Sequence, residues 1–213
     1  MKRMLLVTLI LMLVLAAVYI AGRERNKKKV LIFKALATLT ADAAVLYYAL
    51  SSGQREGWLF AVGISLYACA DVALELKFVY GMLVFAAGHF TIIAGLLSMR
   101  RFHLLTLPVF VLIFGFGIWL FCRYLPRMRR LLPIALGYAS ILCLTGAMTV
   151  TMAAIEPTAE NMIRMIGSIC FICSDGIIAW NFLRHKRSQS SSVLLLSLYY
   201  LALYLFAAAF YIR

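Results

Sequence analysis

Acidic residues are scarce in this chain, 8 against 21 lysines and arginines in 213 residues, and charged residues of both signs make up only 14%. An ordinary soluble domain carries roughly 25%, so a water-soluble globular protein is excluded. Prolines are few as well, at 108, 126, 133 and 157, which leaves long helices free to run uninterrupted. The five cysteines, at 69, 122, 143, 170 and 173, are odd in number and lie in apolar stretches. They do not make a disulfide framework, and Cys170 with Cys173 lacks the second ligand pair of a zinc site. Missing too are a G-x-S-x-G elbow, an H-E-x-x-H helix and a P-loop. Of the three histidines only His89 is placed to ligate, because His103 and His185 fall at span ends among arginine and lysine. No metal or cofactor is expected.

What the chain has is apolar sequence, 65% of it. Apolar runs at 4–21, 30–50, 57–76, 79–99, 102–122, 131–153, 162–184 and 191–211 each approach the roughly 20 residues of one membrane crossing. They predict a single transmembrane domain over 1–213, an all-α polytopic bundle of about eight helices. The first run is too long for the apolar region of a signal peptide and reads as a retained span.

The formal charge of +13 points to loops beside anionic lipid and not to nucleic acid. One set of loops holds Arg23, Arg25, Lys27, Lys28, Lys29, Lys77, Arg123, Arg127, Arg129, Arg130, Arg184, Lys186 and Arg187, thirteen basic residues. The other holds seven, Lys2, Arg3, Arg55, Arg100, Arg101, Arg164 and Arg213. The positive-inside rule puts the first set in the cytoplasm and both termini outside. Trp58, Trp119, Trp180 and Tyr211 fall near span ends and read as interfacial anchors.

Ionisable groups inside hydrocarbon cost about 2.5–3.5 kcal/mol on insertion scales, so the few that persist carry the functional information. They are Lys34 and Asp42 in span two, Asp71 and Glu75 in span three, His89 in span four, and Asp175 with the polar Asn181 in span seven. Counting residues inward at about 1.5 Å each places all of them between the midplane and the basic, cytoplasmic face. Two of the aspartates lie four spans apart, the spacing of a duplicated four-helix unit.

Tyr67, Asp71 and Glu75 recur at i, i+4 and i+8, on one helix face that must look into the bundle. Two carboxylates so close in low dielectric do not both ionise readily, which is the condition for a general acid at neutral pH. The alternative is a buried ion pair of Asp71 or Glu75 with Lys34 or Lys77. Lys34 itself is expected to extend its ammonium to the interface. Asp42 sits among Thr38, Thr40 and Tyr47, which are available to bond it structurally.

Several segments carry a resemblance: Cys-Ala-Asp-Val-Ala-Leu-Glu-Leu (69–76), Gly-Met-Leu-Val-Phe-Ala-Ala-Gly-His-Phe (81–90), Ser-Asp-Gly-Ile-Ile-Ala-Trp-Asn-Phe (174–182) and the pair Tyr199-Tyr200. In order and spacing, from about Lys34 to Tyr204, the chain resembles the YhhN-type membrane proteins, which include the lysoplasmalogenases. It departs from their usual pattern at Ala35, Ala70, Ile92 or Ile93, and Leu203. The resemblance implies hydrolysis of the vinyl ether of a lysoplasmalogen, a lysophospholipid substrate, to a fatty aldehyde and a glycerophospho-alcohol. Asp71 and Asp175 would be the acid and base, His89, Glu75, Tyr200 and Asn181 would position water, proton or head group, and Lys34 would attract the phosphate. The competing readings are a proton-coupled transporter or lipid flippase using the same acids, and a purely structural membrane partner. Against the transporter, no proline interrupts a span that bears the candidate acids.

Overall fold

A computed structural model describes residues 2–22, 27–126, 131–184 and 188–212. Arg23, Arg25, Arg127, Arg129, Arg130, His185, Lys186, Arg187 and Arg213 lie outside the described residues, as do the side chains of Lys2, Lys27, Lys28 and Lys29. Eight α-helices occur among the described residues: α1 (Lys2–Gly22), α2 (Lys27–Ser52), α3 (Arg55–Leu76), α4 (Phe78–Met99), α5 (Thr106–Phe121), α6 (Leu132–Ile155), α7 (Ala159–Leu183) and α8 (Gln189–Ala208). No strand occurs among them. A helix satisfies its backbone polar groups internally, which apolar surroundings demand. Seven of the eight are long and apolar enough to cross a membrane, and the chain is a multi-pass membrane protein.

The exception is α5, with 16 residues, or roughly 24 Å of rise. The span expected at 102–122 begins late because Pro108 has no N–H to give the Leu104 carbonyl, and its ring would collide with that carbonyl if the helix started earlier. Residues 101–105 form an irregular segment, and α5 packs chiefly against α6. The remaining helices close a ring in which α2 touches α1, α3 and α8, α4 touches α3 and α6, and α7 touches α6 and α8.

Local chemistry sets the joints. Thr158 caps α7 and Ser188 caps α8, their side chains accepting the Asn161 and Ser191 N–H groups. Gly53, at φ 67°, ends α2 in the left-handed region and donates its N–H to Ala49. A single extended residue, Lys77, joins α3 to α4, and this pair makes the most extensive helix contact in the molecule. Gly81, Gly88 and Gly95 recur every seven residues along α4, where a Cβ would collide with Leu74, Tyr67 and Phe60 of α3. Small residues on such a seam let the backbones approach closely. Gly81→Leu meets the α3 backbone itself and should therefore cost about 1–3 kcal/mol by overpacking, read as a lower thermal unfolding midpoint in detergent.

Arg164, expected in a loop, is 2% exposed within the first turns of α7. Its guanidinium donates to the Asn161 carboxamide oxygen at 3.2 Å, pairs with Glu160 at 3.5 Å and covers the Phe210 ring. Trp58, Trp119 and Trp180 are exposed in terminal helical turns. Tyr211 instead donates its hydroxyl to the Ala44 carbonyl at 2.7 Å and packs edge-on to Tyr48.

Candidate functional site

α2, α3 and α8 converge on one carboxylate. Asp71, 1% exposed, takes the Lys34 ammonium on Oδ1 at 3.0 Å and two hydroxyls on Oδ2, from Thr38 at 2.6 Å and Tyr199 at 2.9 Å. Lys34 is 5% exposed and does not reach the interface. The expected extension to the surface is overturned because the antiparallel α3 brings a carboxylate to the same depth, and a buried ammonium takes the nearest anion in preference to stretching toward water. Asp71 is thus a buried carboxyl group whose oxygens are taken up by the Lys34 ammonium and two hydroxyls.

Lys34 faces a cavity of about 240 Å³ near the end of the bundle where α3 turns into α4 and α7 ends. Tyr19, Glu75 and Asn181 also line it. Tyr19 donates to Glu75 Oε1 at 3.4 Å, and Asn181 exchanges hydrogen bonds with the Ser191 hydroxyl at 3.1 and 3.3 Å. Tyr200 donates to the Lys34 carbonyl at 3.4 Å and does not line this cavity; its neighbour Tyr199 is the one that meets the carboxylate.

A second cavity, about 180 Å³ and almost wholly apolar, lies between α4, α5, α6 and α7. Asp175 is on its wall and accepts a hydrogen bond from the Tyr138 hydroxyl, itself on the wall. Leu74, Phe78, Ile178 and Phe182 border both cavities. Phe78 and Phe182 stack with ring centroids 4.6 Å apart and planes within 4°, a partition between the polar chamber and the apolar one. Asp71 borders neither of the two, yet it and Lys34 are close enough to act electrostatically on Asp175.

His89, 1% exposed, stands in an aromatic block of Tyr67, Phe85, Phe171 and Tyr199. Its Nδ1 meets the Tyr67 hydroxyl at 2.9 Å and Thr145 Oγ1 at 3.3 Å. The residues expected on one α3 face therefore do share it, but each addresses a different helix: Tyr67 the α4 histidine, Asp71 the α2 lysine, Glu75 the α1 tyrosine.

Asp42 stands apart. Its partner is Ser65, at 2.6 Å, and not Thr38, which serves Asp71, nor Thr40, which bonds the Ala37 carbonyl. It lies ten residues before the end of α2 and fifteen after its start, so at about 1.5 Å per residue it belongs to the half of the bundle opposite the two cavities. The shared depth expected for all the buried ionisable groups fails for this one.

Thr38, Tyr138 and Tyr199 are site residues that the charge-based reading passed over. Hydroxyls inside apolar runs carry no charge signal; the cue for them is a tyrosine in mid-span, which needs a partner once buried.

No curated protein and no solved structure matches the chain. Residues 29–210 match the YhhN family, which covers α2 to α8 and every residue of both cavities except Tyr19, and the chain belongs to that family.

Proposed function

We propose that this multi-pass membrane protein is a hydrolase that cleaves the vinyl ether of lysoplasmalogen-like lysophospholipids. The observation that carries this reading is a carboxyl group, Asp175, on the wall of an apolar chamber adjoining a polar one that holds a lysine. Such a pair of chambers fits a lipid with one chain: the tail in the apolar space, and the phosphate near Lys34, Glu75 and Asn181. The basic-loop rule puts these chambers in the cytoplasmic half of the membrane, with both termini outside.

An enol ether is cleaved by protonating its β-carbon. Asp175 gives this proton, and the ether oxygen's lone pair stabilises the resulting oxocarbenium ion. Water adds to the cationic carbon and returns a proton to Asp175, leaving a hemiacetal. Collapse of the hemiacetal moves its hydroxyl proton to the departing oxygen, so that one vinyl ether and one water become one aldehyde and one alcohol. Tyr138 orients the acid by its hydrogen bond. Lys34, held by Asp71, meets the phosphate.

The test is aldehyde release from lysoplasmenyl-ethanolamine by the purified protein. Chain recognition has its own test. A Cβ built on Gly117 of α5 or Gly176 of α7 meets nothing within 4 Å, and both residues line the apolar chamber. Gly117→Phe should fill this space without disturbing the fold. It is expected to raise KM for long-chain substrates by about tenfold, the equivalent of roughly two buried methylenes, and to spare short-chain ones. A uniform loss over all chain lengths would count against the chamber as the tail site.

A further inference from the structure

At the opposite end of the bundle from the two chambers lies a third cavity, about 240 Å³, between α4, the 100–105 segment, the start of α5 and the end of α6. We propose that it binds the phosphate of an anionic phospholipid in the leaflet on that side. Its polar lining consists of Arg100, Arg101, His103, Thr106 and Thr151, with no carboxylate among them. Arg100 is anchored by an ion pair with Glu156, which fixes the guanidinium at the rim. Arg101 is exposed, and no carboxylate pairs with it among the described residues. His103 Nδ1 accepts the Leu105 N–H at 3.1 Å, which leaves the proton on Nε2 and makes that nitrogen a donor. Thr151 is 2% exposed and its Oγ1 has no hydrogen-bond partner. A buried hydroxyl without a partner is costly, so an acceptor entering this cavity has a donor waiting on its wall.

The ligand these groups ask for is an oxyanion with several acceptors: guanidinium groups match phosphate geometry, and hydroxyl and imidazole N–H groups complete its shell. A lipid, in preference to a free ion, is indicated by the rim. Phe102, Leu104 and Leu105 are exposed beside the basic residues, Leu104 to 75%, and offer acyl chains a surface where the phosphate enters.

Native mass spectrometry of the detergent-purified protein tests this with phosphatidylglycerol, phosphatidylcholine and inorganic phosphate as probes. The wild type should retain phosphatidylglycerol over phosphatidylcholine. Arg101→Gln, at an exposed position that folding does not require, and the isosteric Thr151→Val should each lower that retention about tenfold, the loss of one charge-assisted or buried hydrogen bond. Retention that is unchanged in both variants overturns the site. Displacement of the lipid by millimolar inorganic phosphate overturns the lipid assignment, since it would show that the anion alone accounts for binding.

Discussion

Asp175→Asn is expected to lower hydrolysis of lysoplasmenyl-ethanolamine by about 10²–10⁴-fold, the range that a positioned general acid supplies, while leaving the protein folded. The amide has the size of the acid and still accepts the Tyr138 hydroxyl through its carbonyl oxygen, so the wall of the apolar chamber keeps its shape. It has no proton to give to carbon. Protonation of carbon is the difficult step of enol ether cleavage, and no other carboxyl group among the described residues lines that chamber. The check is kcat for aldehyde release beside an unfolding midpoint in detergent, where the first should collapse and the second should hold. Tyr138→Phe removes only the hydrogen bond to Asp175 and should produce a smaller loss in kcat with KM nearly unchanged. An Asp175→Asn protein of undiminished activity would move the acid elsewhere.

Asp71→Ala should be the most destabilising single substitution at the site, by about 3–5 kcal/mol, because it leaves the Lys34 ammonium buried without its counterion. Two hydroxyls, of Thr38 and Tyr199, lose their acceptor at the same stroke. The sign of the companion experiment differs. Lys34→Met combined with Asp71→Leu removes both charges, and a buried ion pair exchanged for apolar groups of similar volume is often neutral or better for stability. The double variant should thus be more stable than Asp71→Ala, yet bind phosphate-bearing substrate poorly, since the chamber has lost its cation. Unfolding midpoints of the wild type, Lys34→Met, Asp71→Leu and the double variant give the coupling energy directly. A coupling near zero would mean that the pair carries no stability and that Lys34 is held by something other than Asp71.

The helices were legible from apolar runs alone, because length and hydropathy are one-dimensional properties. Their ends were less so: 102–122 reads as one apolar run, but Pro108 dictates where hydrogen bonding can begin, and the helix starts at Thr106. Depth was legible in the same way for every buried polar group of the cluster but Asp42, which lies in the other half. Lys34, Asp71, Glu75, Asp175 and Asn181 all fall in the half of the bundle that their distance along each helix assigns them. Rotation about the helix axes and the choice of neighbour were not, since they depend on which helices touch. That is why Lys34 was expected at the surface and is found on Asp71, and why Thr38 was expected near Asp42 and serves a different carboxylate. The glycine seam at 81, 88 and 95 is written plainly in the sequence as a seven-residue period, and it explains how α3 comes close enough to α4 for Tyr67 to reach His89.

The separation of the two acids has a functional meaning. Asp71 sits in a cage of donors and Asp175 on an apolar wall with a tyrosine hydroxyl. Carboxyl groups in environments so different are suited to different roles. The ion pair weighed for Asp71 is the one observed, with Lys34, and the acid proposed for catalysis, Asp175, stands on a different helix, α7.

The most direct measurement of the central claim is hydrolysis of lysoplasmenyl-ethanolamine by the purified protein in D₂O, with mass analysis of the aldehyde. Proton delivery to the β-carbon predicts a fatty aldehyde carrying one solvent deuterium on the carbon next to its carbonyl, and no fatty acid release from the acyl lysophospholipid of equal chain length. Failure to release aldehyde, or aldehyde formed without that deuterium, would contradict it.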